Sequence, residues 1–185
     1  MKKRDRIKAA LTGNVVDRPP ATLWMHYPGI DQEVETLAQA HAAFQKKYDF
    51  DFIKLTPSDY YCAADWNREI RGLDPQSQSP LLLRPSIRQD AEWEHLKPLA
   101  PTSGRWGKQL QLLRRVKELT QPGVPILQTV YSPLTVARKL AGPYLLQTLR
   151  EQPKILHRAL EVIADTTMNY IAATLSHGAD GVFYA

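Results

Sequence analysis

The chain has 185 residues, of which 43% are hydrophobic and 23% are charged, and its formal net charge is +5. This balance is typical of a globular protein with one sizeable core. The single cysteine, Cys62, excludes an internal disulfide framework and a cysteine-rich zinc site within this segment.

No apolar run approaches membrane-spanning length, and the basic residues 1–6 are not followed by the apolar core of a signal peptide. We therefore expect a cytoplasmic protein with no membrane partner. The positive charge indicates either attraction for a polyanion, such as a multiply carboxylated small molecule, or an ordinary solvated surface. Because the basic residues are spread out without interleaved aromatic residues, we expect no nucleic-acid partner.

Helices and strands alternate in the first part of the chain. Apolar residues at helical spacing predict a helix over residues 3–11, and a short apolar run after Pro19-Pro20 predicts a strand at 21–25. A helix over 33–47 and a second strand at 50–55 follow. An aromatic-rich segment then extends to about residue 71, before a minor strand at 81–84 and a helical turn at 92–96.

The same alternation continues in the second part. A helix over 106–119 precedes a third strand at 125–131, and residues 136–149 contain one or two helices interrupted at Gly142-Pro143. The longest helix is predicted over 153–176, because Pro153 occupies the first helical position and Gly178 follows its end. A fourth strand then covers Val182, Phe183 and Tyr184.

Alternating strands and helices predict a parallel α/β sheet with right-handed crossovers. An open doubly wound sheet and a (β/α)8 barrel both satisfy this order. The first strand is not followed by a Gly-x-Gly-x-x-Gly turn, and no P-loop is present, which weakens the nucleotide-binding version. A barrel of about 250 residues or more would be roughly half complete at Ala185.

Four segments in order along the chain resemble the uroporphyrinogen decarboxylase superfamily. They are residues 11–20 (Leu-Thr-Gly-Asn-Val-Val-Asp-Arg-Pro-Pro), residues 52–55 with Ser58-Asp59, residues 132–135 (Ser-Pro-Leu-Thr), and residues 178–183 (Gly-Ala-Asp-Gly-Val-Phe). The resemblance implies a (β/α)8 TIM barrel, of which residues 1–185 would be one domain, incomplete at its C-terminus after the fourth main strand. The superfamily includes the heme-pathway decarboxylase and methyltransferases that use corrinoid or thiol partners.

The chain departs from the decarboxylase pattern at two places. The arginine-rich segment that grips substrate carboxylates after the first strand is replaced by Met25-His26-Tyr27-Pro28-Gly29, and Lys139 lies near the position of a tyrosine. Ser58-Asp59 matches the segment that carries the key aspartate of the family.

Active sites of such barrels lie at the C-terminal ends of the strands. By the resemblance, Asp59 is the first catalytic candidate, a carboxylate that accepts pyrrole N–H groups and stabilises a protonated ring. The alternative is that Asp59 caps a helix or an Asx-turn. His26 is the second candidate, as a proton donor, an anion contact or a metal ligand, although a lone histidine is more often structural.

Substrate-binding candidates are Trp24, Tyr61, Tyr131 and Ser132, with Lys54 lying just inside its strand. Tyr61 and Tyr131 would form an aromatic wall for a flat ring, or else the core of a long loop. Cys62 is expected to be a buried structural thiol, and we assign no metal ligand in this segment.

Three functions follow from these features. The first is a decarboxylase-type lyase, which removes a carboxylate from an acidic tetrapyrrole without a cofactor. The second is a corrinoid- or thiol-dependent methyltransferase, for which the resemblance implies a corrinoid partner and zinc bound by residues from the second half of the barrel. The third is an inactive barrel fragment, or a half-barrel that pairs with a second copy as a homodimer.

Overall fold

The computed structural model describes residues 1–66, 70–73, 80–82 and 85–185. Within them the strands are β1 (Ile53–Leu55), β2 (Ile70–Leu73), β3 (Pro80–Leu82), β4 (Ile126–Val130) and β5 (Gly181–Tyr184). The helices are α1 (Lys3–Leu11), α2 (Val34–Tyr48), α3 (Tyr61–Ala64), α4 (Asp90–Trp93), α5 (Gly104–Leu119), α6 (Pro133–Ala141), α7 (Tyr144–Glu151) and α8 (Pro153–Ser176). None of the described helices is long and apolar enough to cross a membrane.

The main sheet is parallel and has the order β1-β4-β5. Ile53 aligns with Ile126 across the first pair, and Leu127 aligns with Gly181 across the second. Each connection between neighbouring strands contains helices, as a parallel sheet requires. The predicted parallel α/β fold is confirmed. The predicted minor strand is also present as β3, which pairs antiparallel with β2 in a separate ribbon, while residues 83–84 lie outside the described residues.

The predicted strand at 21–25 is wrong. This segment is extended, but its only backbone hydrogen bond among the described residues is the one that Asp51 donates to the carbonyl of Ala21, at 2.9 Å. Thr22 adds a side-chain bond to the carbonyl of Phe52, at 2.6 Å. A strand needs a ladder of backbone bonds, and the preceding Pro19-Pro20 supplies no N–H donor to begin one.

One face of the sheet packs against helices. Ile53, Leu55 and Ile126 contact a buried cluster from α2 and α5, whose members are Leu37, Ala38, Leu112, Leu113 and Val116. Val130 joins a second cluster formed with α3, α5, α6 and α8, which includes Trp106, Val136, Leu140, Ile163 and Tyr170. These helices cover the outer side of the sheet, as they do in a barrel.

The opposite side of the sheet is the inner face, which we define by Lys54, Leu127, Thr129 and Phe183. Lys54 aligns with Leu127, and Thr129 aligns with Phe183, so each aligned pair projects to one side of the sheet. Trp24 lies against this face, with its ring centroid 5.6 Å from that of Phe183. The fold therefore separates an apolar outer side from an inner face that carries a lysine.

Candidate active site

The loops that follow β1 and β4 meet through the side chain of Asp59. Its Oδ2 lies 2.7 Å from Nζ of Lys139, and its Oδ1 accepts a hydrogen bond of 3.1 Å from the hydroxyl of Tyr131. Both loops leave the carboxyl ends of their strands, which in a β/α barrel form the active-site edge. The sequence prediction that Asp59 and Tyr131 lie at this edge agrees with their positions after β1 and β4.

Lys139 holds this group together. It lies on α6, which begins after the cap residue Ser132, and its side chain is 13% exposed, compared with 44% for Asp59. The ammonium also lies 4.6 Å from the ring centroid of Tyr60 and 4.9 Å from that of Tyr131. These contacts stabilise a cation between two rings and a carboxylate. The side chain of Asp59 stays partly exposed.

Tyr131 acts as a neutral hydrogen-bond donor. Burial raises the pKa of its phenol, and the negative charge of Asp59 raises that pKa further. Its proton is therefore retained throughout the physiological range. The charge of Asp59 is offset by Lys139 and shared with a neutral phenol, so the carboxylate is not an isolated anion.

Tyr61 lies in the core rather than along an open wall. Its residue exposure is 2%, its hydroxyl donates to the carbonyl of Thr129 at 2.7 Å, and burial raises its pKa. Its ring packs against Trp106 at 5.5 Å and Tyr131 at 5.9 Å. Tyr61 thereby packs against the ring of Tyr131 on its buried side. A substrate-binding role for Tyr61 stays a prediction.

Ser132 caps α6. Its Oγ accepts a hydrogen bond from the backbone N of Thr135 at 3.2 Å and donates to Oγ1 of the same residue at 2.9 Å. Pro133 follows in the first turn of the helix. The cap fixes the start of the helix that carries Lys139, and the predicted contact of Ser132 with substrate stays a prediction.

The other two candidates lie away from Asp59. His26 is exposed, and no described hydrogen bond or ion pair joins it to Asp59. Asp31, in the same loop, is a carboxyl whose pKa is raised mainly by burial. Trp24 is 47% exposed and lies on the inner face, where Nζ of Lys54 is 4.4 Å from its ring centroid.

The described residues do not fit a zinc site. They include no group of three His, Cys, Asp or Glu side chains that could hold a metal ion. Cys62 is fully buried, and burial raises the pKa of its thiol to about 12, so the thiolate that zinc requires is strongly disfavoured. We therefore assign no chemical step of this segment to zinc.

Sequence reasoning missed two lysine contacts. Lys139 is 80 residues from Asp59, so no local spacing could show that they pair. The sequence places Lys54 just inside a strand and shows none of its contacts. A signal was present in the sequence, because a lysine within a buried strand is unusual and indicates either a partner or a function.

A parallel β/α sheet, with its polar loops meeting at the carboxyl ends of the strands, has the architecture of part of a (β/α)8 barrel. The family model of uroporphyrinogen decarboxylase (URO-D) matches residues 26–185, and the chain belongs to this family.

The chain is also similar to two methyltransferases. It is 22% identical over 193 residues to the methylcobamide:CoM methyltransferase MtbA of Methanosarcina acetivorans, an alignment that covers 97% of this chain and 56% of that protein. The solved structure of a methyltransferase from Methanosarcina mazei superposes with a TM-score of 0.82 at 20% identity, covering 98% of this chain and 58% of that one. The chain thus spans less than two thirds of either protein, and the likeness to the solved structure shows the fold.

Proposed function

We propose that this chain forms the N-terminal part of a methyltransferase, which moves a methyl group from a methylated corrinoid to a small thiol such as coenzyme M. The observation that carries the proposal is the pairing of Asp59 with Lys139 at 2.7 Å. The similarity to a methylcobamide:CoM methyltransferase along 97% of the chain supports it. A cytoplasmic location is part of the same proposal.

The pairing bears on the choice between the two enzyme functions. A decarboxylase of this family needs a carboxylate whose charge stabilises a developing pyrrole cation. Here Lys139 already offsets that charge, and Tyr131 donates to the second oxygen. A cation developing beside Asp59 would also meet the lysine ammonium and be repelled by it.

Methyl transfer does not need the negative charge of Asp59 to stabilise a developing cation. The carbon–cobalt bond breaks with its electron pair left on cobalt, a carbon–sulfur bond forms, and the thiol proton is released. No described residue is assigned that proton. The group formed by Asp59, Lys139 and Tyr131 is proposed to shape and polarise the edge of the site, where it binds and orients polar substrate groups. The net charge of +5 favours an anionic substrate.

Tetrapyrrole decarboxylation is the second candidate. It is favoured by the position of Asp59 directly after β1 and by the 44% exposure of its side chain, which leaves room for a ligand. The absence of the arginine-rich segment at residues 25–29 weighs against it, because that segment would grip the substrate carboxylates.

The test uses the protein expressed from its complete gene. It is incubated anaerobically with methylcobalamin and coenzyme M, and the loss of methylcobalamin absorbance is followed together with thiol consumption. A parallel reaction contains uroporphyrinogen and is analysed for partly decarboxylated products. We expect thiol-dependent demethylation of the corrinoid; turnover of the tetrapyrrole without methyl transfer would contradict the proposal.

The variant Asp59→Asn distinguishes a carboxylate that only shapes the site from one that stabilises the transition state. If Asp59 only shapes the site, we expect methyl transfer to fall by less than about tenfold, mainly through a higher KM for the thiol. A carboxylate that stabilises the transition state would cost about 100- to 1000-fold in kcat when neutralised. Glu94→Gln is the matched control, because it removes an exposed carboxylate that pairs with Arg158 on another surface. A loss of about 100- to 1000-fold in the kcat of methyl transfer would show that Asp59 acts in the chemical step itself.

A further inference from the structure

Lys54 is a buried cation without an acidic partner among the described residues. Its residue exposure is 7%, whereas the ion pairs of the described chain involve other basic groups. It makes no hydrogen bond to any described residue. Charged side chains are rarely buried unless they are paired, so the position of this ammonium calls for a partner that the described residues do not supply.

Two aromatic rings enclose the ammonium. Its Nζ lies 4.4 Å from the ring centroid of Trp24 and 4.5 Å from that of Phe183, within the range of cation–π attraction. The rings compensate part of the lost hydration. Unlike an anion, however, they carry no negative charge and no acceptor oxygen for the ammonium. Burial also lowers the pKa of Lys54.

The side chains around this ammonium are themselves only partly buried. Lys54 projects from the inner face, and Trp24 beside it is 47% exposed. Leu127 and Phe183, on the neighbouring strands, are half-buried. Gly181 aligns with Leu127 and adds no side chain to the face. The ammonium is therefore bordered on the inner face by apolar side chains, of which Trp24 is half-exposed.

We propose that Lys54 binds the anionic end group of a small substrate, a sulfonate or carboxylate on a short aliphatic chain. The anion supplies the partner that the ammonium lacks, and Trp24 and Phe183 contact the aliphatic part. The identity of the anion as part of a thiol substrate rests on the proposed methyl transfer. Binding of the anion itself does not.

The experiment measures binding without turnover. Ethanesulfonate and propionate are titrated into the protein expressed from its complete gene, by calorimetry and ligand-detected NMR, at constant ionic strength. We expect saturable binding to the wild type and a weakening of about ten- to hundredfold for Lys54→Met, the range for losing a charged hydrogen bond. Lys54→Arg should retain measurable binding, because the positive charge remains.

Lys47→Met is the matched control. Lys47 also lies over an aromatic ring, that of Tyr48 at 5.1 Å, but on the exposed surface of α2. Its replacement removes the same charge and should leave binding unchanged. Ethylammonium, which has the same chain with the opposite charge, should not bind.

Folding of the variants is checked by circular dichroism and thermal unfolding. Should Lys54→Met fail to fold, Trp24→Leu tests the same site, because it changes a half-exposed ring and leaves the lysine in place; it should weaken ethanesulfonate binding. Equal binding by the wild type and a folded Lys54→Met or Trp24→Leu variant would overturn the inference, as would no binding to the wild type. Lys54-dependent binding without methyl transfer would refute the proposed function alone, and methyl transfer without such binding would refute this inference alone.

Discussion

Asp51 is a carboxylate at the start of the sheet on which the N-terminal segment depends. It is fully buried, and its two oxygens contact Nη1 of Arg6 and Nη1 of Arg18, both at 2.6 Å. The backbone N of Ala21 donates to it as well, at 2.8 Å. These partners lower the pKa of Asp51 despite its burial. One residue thereby attaches both α1 and the extended segment to the beginning of β1.

We predict that Asp51→Asn destabilises the chain by about 3 kcal/mol, because the buried guanidinium of Arg6 loses one of its two carboxylate partners and Arg18 loses its ion pair. The free energy of unfolding in urea measures the change. Glu118→Gln is the control: it removes an exposed carboxylate that also pairs with an arginine, Arg115, and it should change stability by much less. Equal losses in the two variants would show that the buried network does not anchor the N-terminal segment.

Single residues also show where sequence reasoning was limited. The 21–25 segment has the composition of a strand, but strand formation depends on a neighbouring ladder that composition does not report. The position of Tyr61 after a strand end is compatible with a binding wall or with the core of a long loop, and only the contacts with Trp106 and Thr129 show that the side chain is buried. Both features depend on tertiary partners distant in sequence.

At the scale of elements, local signals were sufficient for most helices. Lys3–Leu11 and Pro153–Ser176 have the predicted bounds, because each is delimited by residues that act locally, such as Pro153 at the first position. The predicted interruption at Gly142-Pro143 separates α6 from α7, and Gly142 has a positive φ of 57°. Helix ends follow from short-range chemistry, which is why they could be predicted while the Asp59–Lys139 pair could not.

The packing of α2 on β1 includes a buried histidine that makes this contact sensitive to acid. His41 is 4% exposed, and its Nε2 lies 3.3 Å from the backbone N of Thr56 in the segment after β1. Burial lowers the pKa of His41 to about 4, compared with 6.5 for an ordinary histidine. The folded state therefore keeps the ring neutral at pH values where the unfolded chain takes up a proton.

We predict that this histidine removes about 3 kcal/mol of stability as the pH falls from 6.5 to 4, because only the unfolded state binds the proton in that window. Above pH 6.5 the ring of His41 is neutral in both the folded and the unfolded state, so it no longer lowers the free energy of unfolding. Urea unfolding of wild type and His41→Gln across this range measures the effect, and the variant should show a shallower loss. His157→Gln is the matched control, because it makes the same replacement at an exposed position of α8. Parallel pH profiles for wild type and His41→Gln would contradict the prediction.

At the scale of the whole molecule, the described chain covers its sheet on one side only. Helices pack on the outer side, while the inner face and the adjoining segment leave large apolar side chains exposed. Leu23 is 64% exposed, and Trp24 and Met25 are each 47% exposed. In a complete barrel the inward side is filled by side chains from all of its strands. Contiguous exposed apolar surface of this kind favours association.

We therefore predict that residues 1–185, produced by themselves, associate through the inner face, with the homodimer as the simplest arrangement. Size-exclusion chromatography with light scattering measures the mass. The double variant Leu23→Ser/Met25→Ser should shift the chain towards monomer, because it removes apolar area next to this face without altering Lys54 or Trp24. Leu11→Ser is the control, since Leu11 is 82% exposed at the end of α1, and it should not change the mass. A monomer that binds no hydrophobic dye would contradict the prediction that the inner face drives association. A dimer that persists in the double variant would place the contact on another surface.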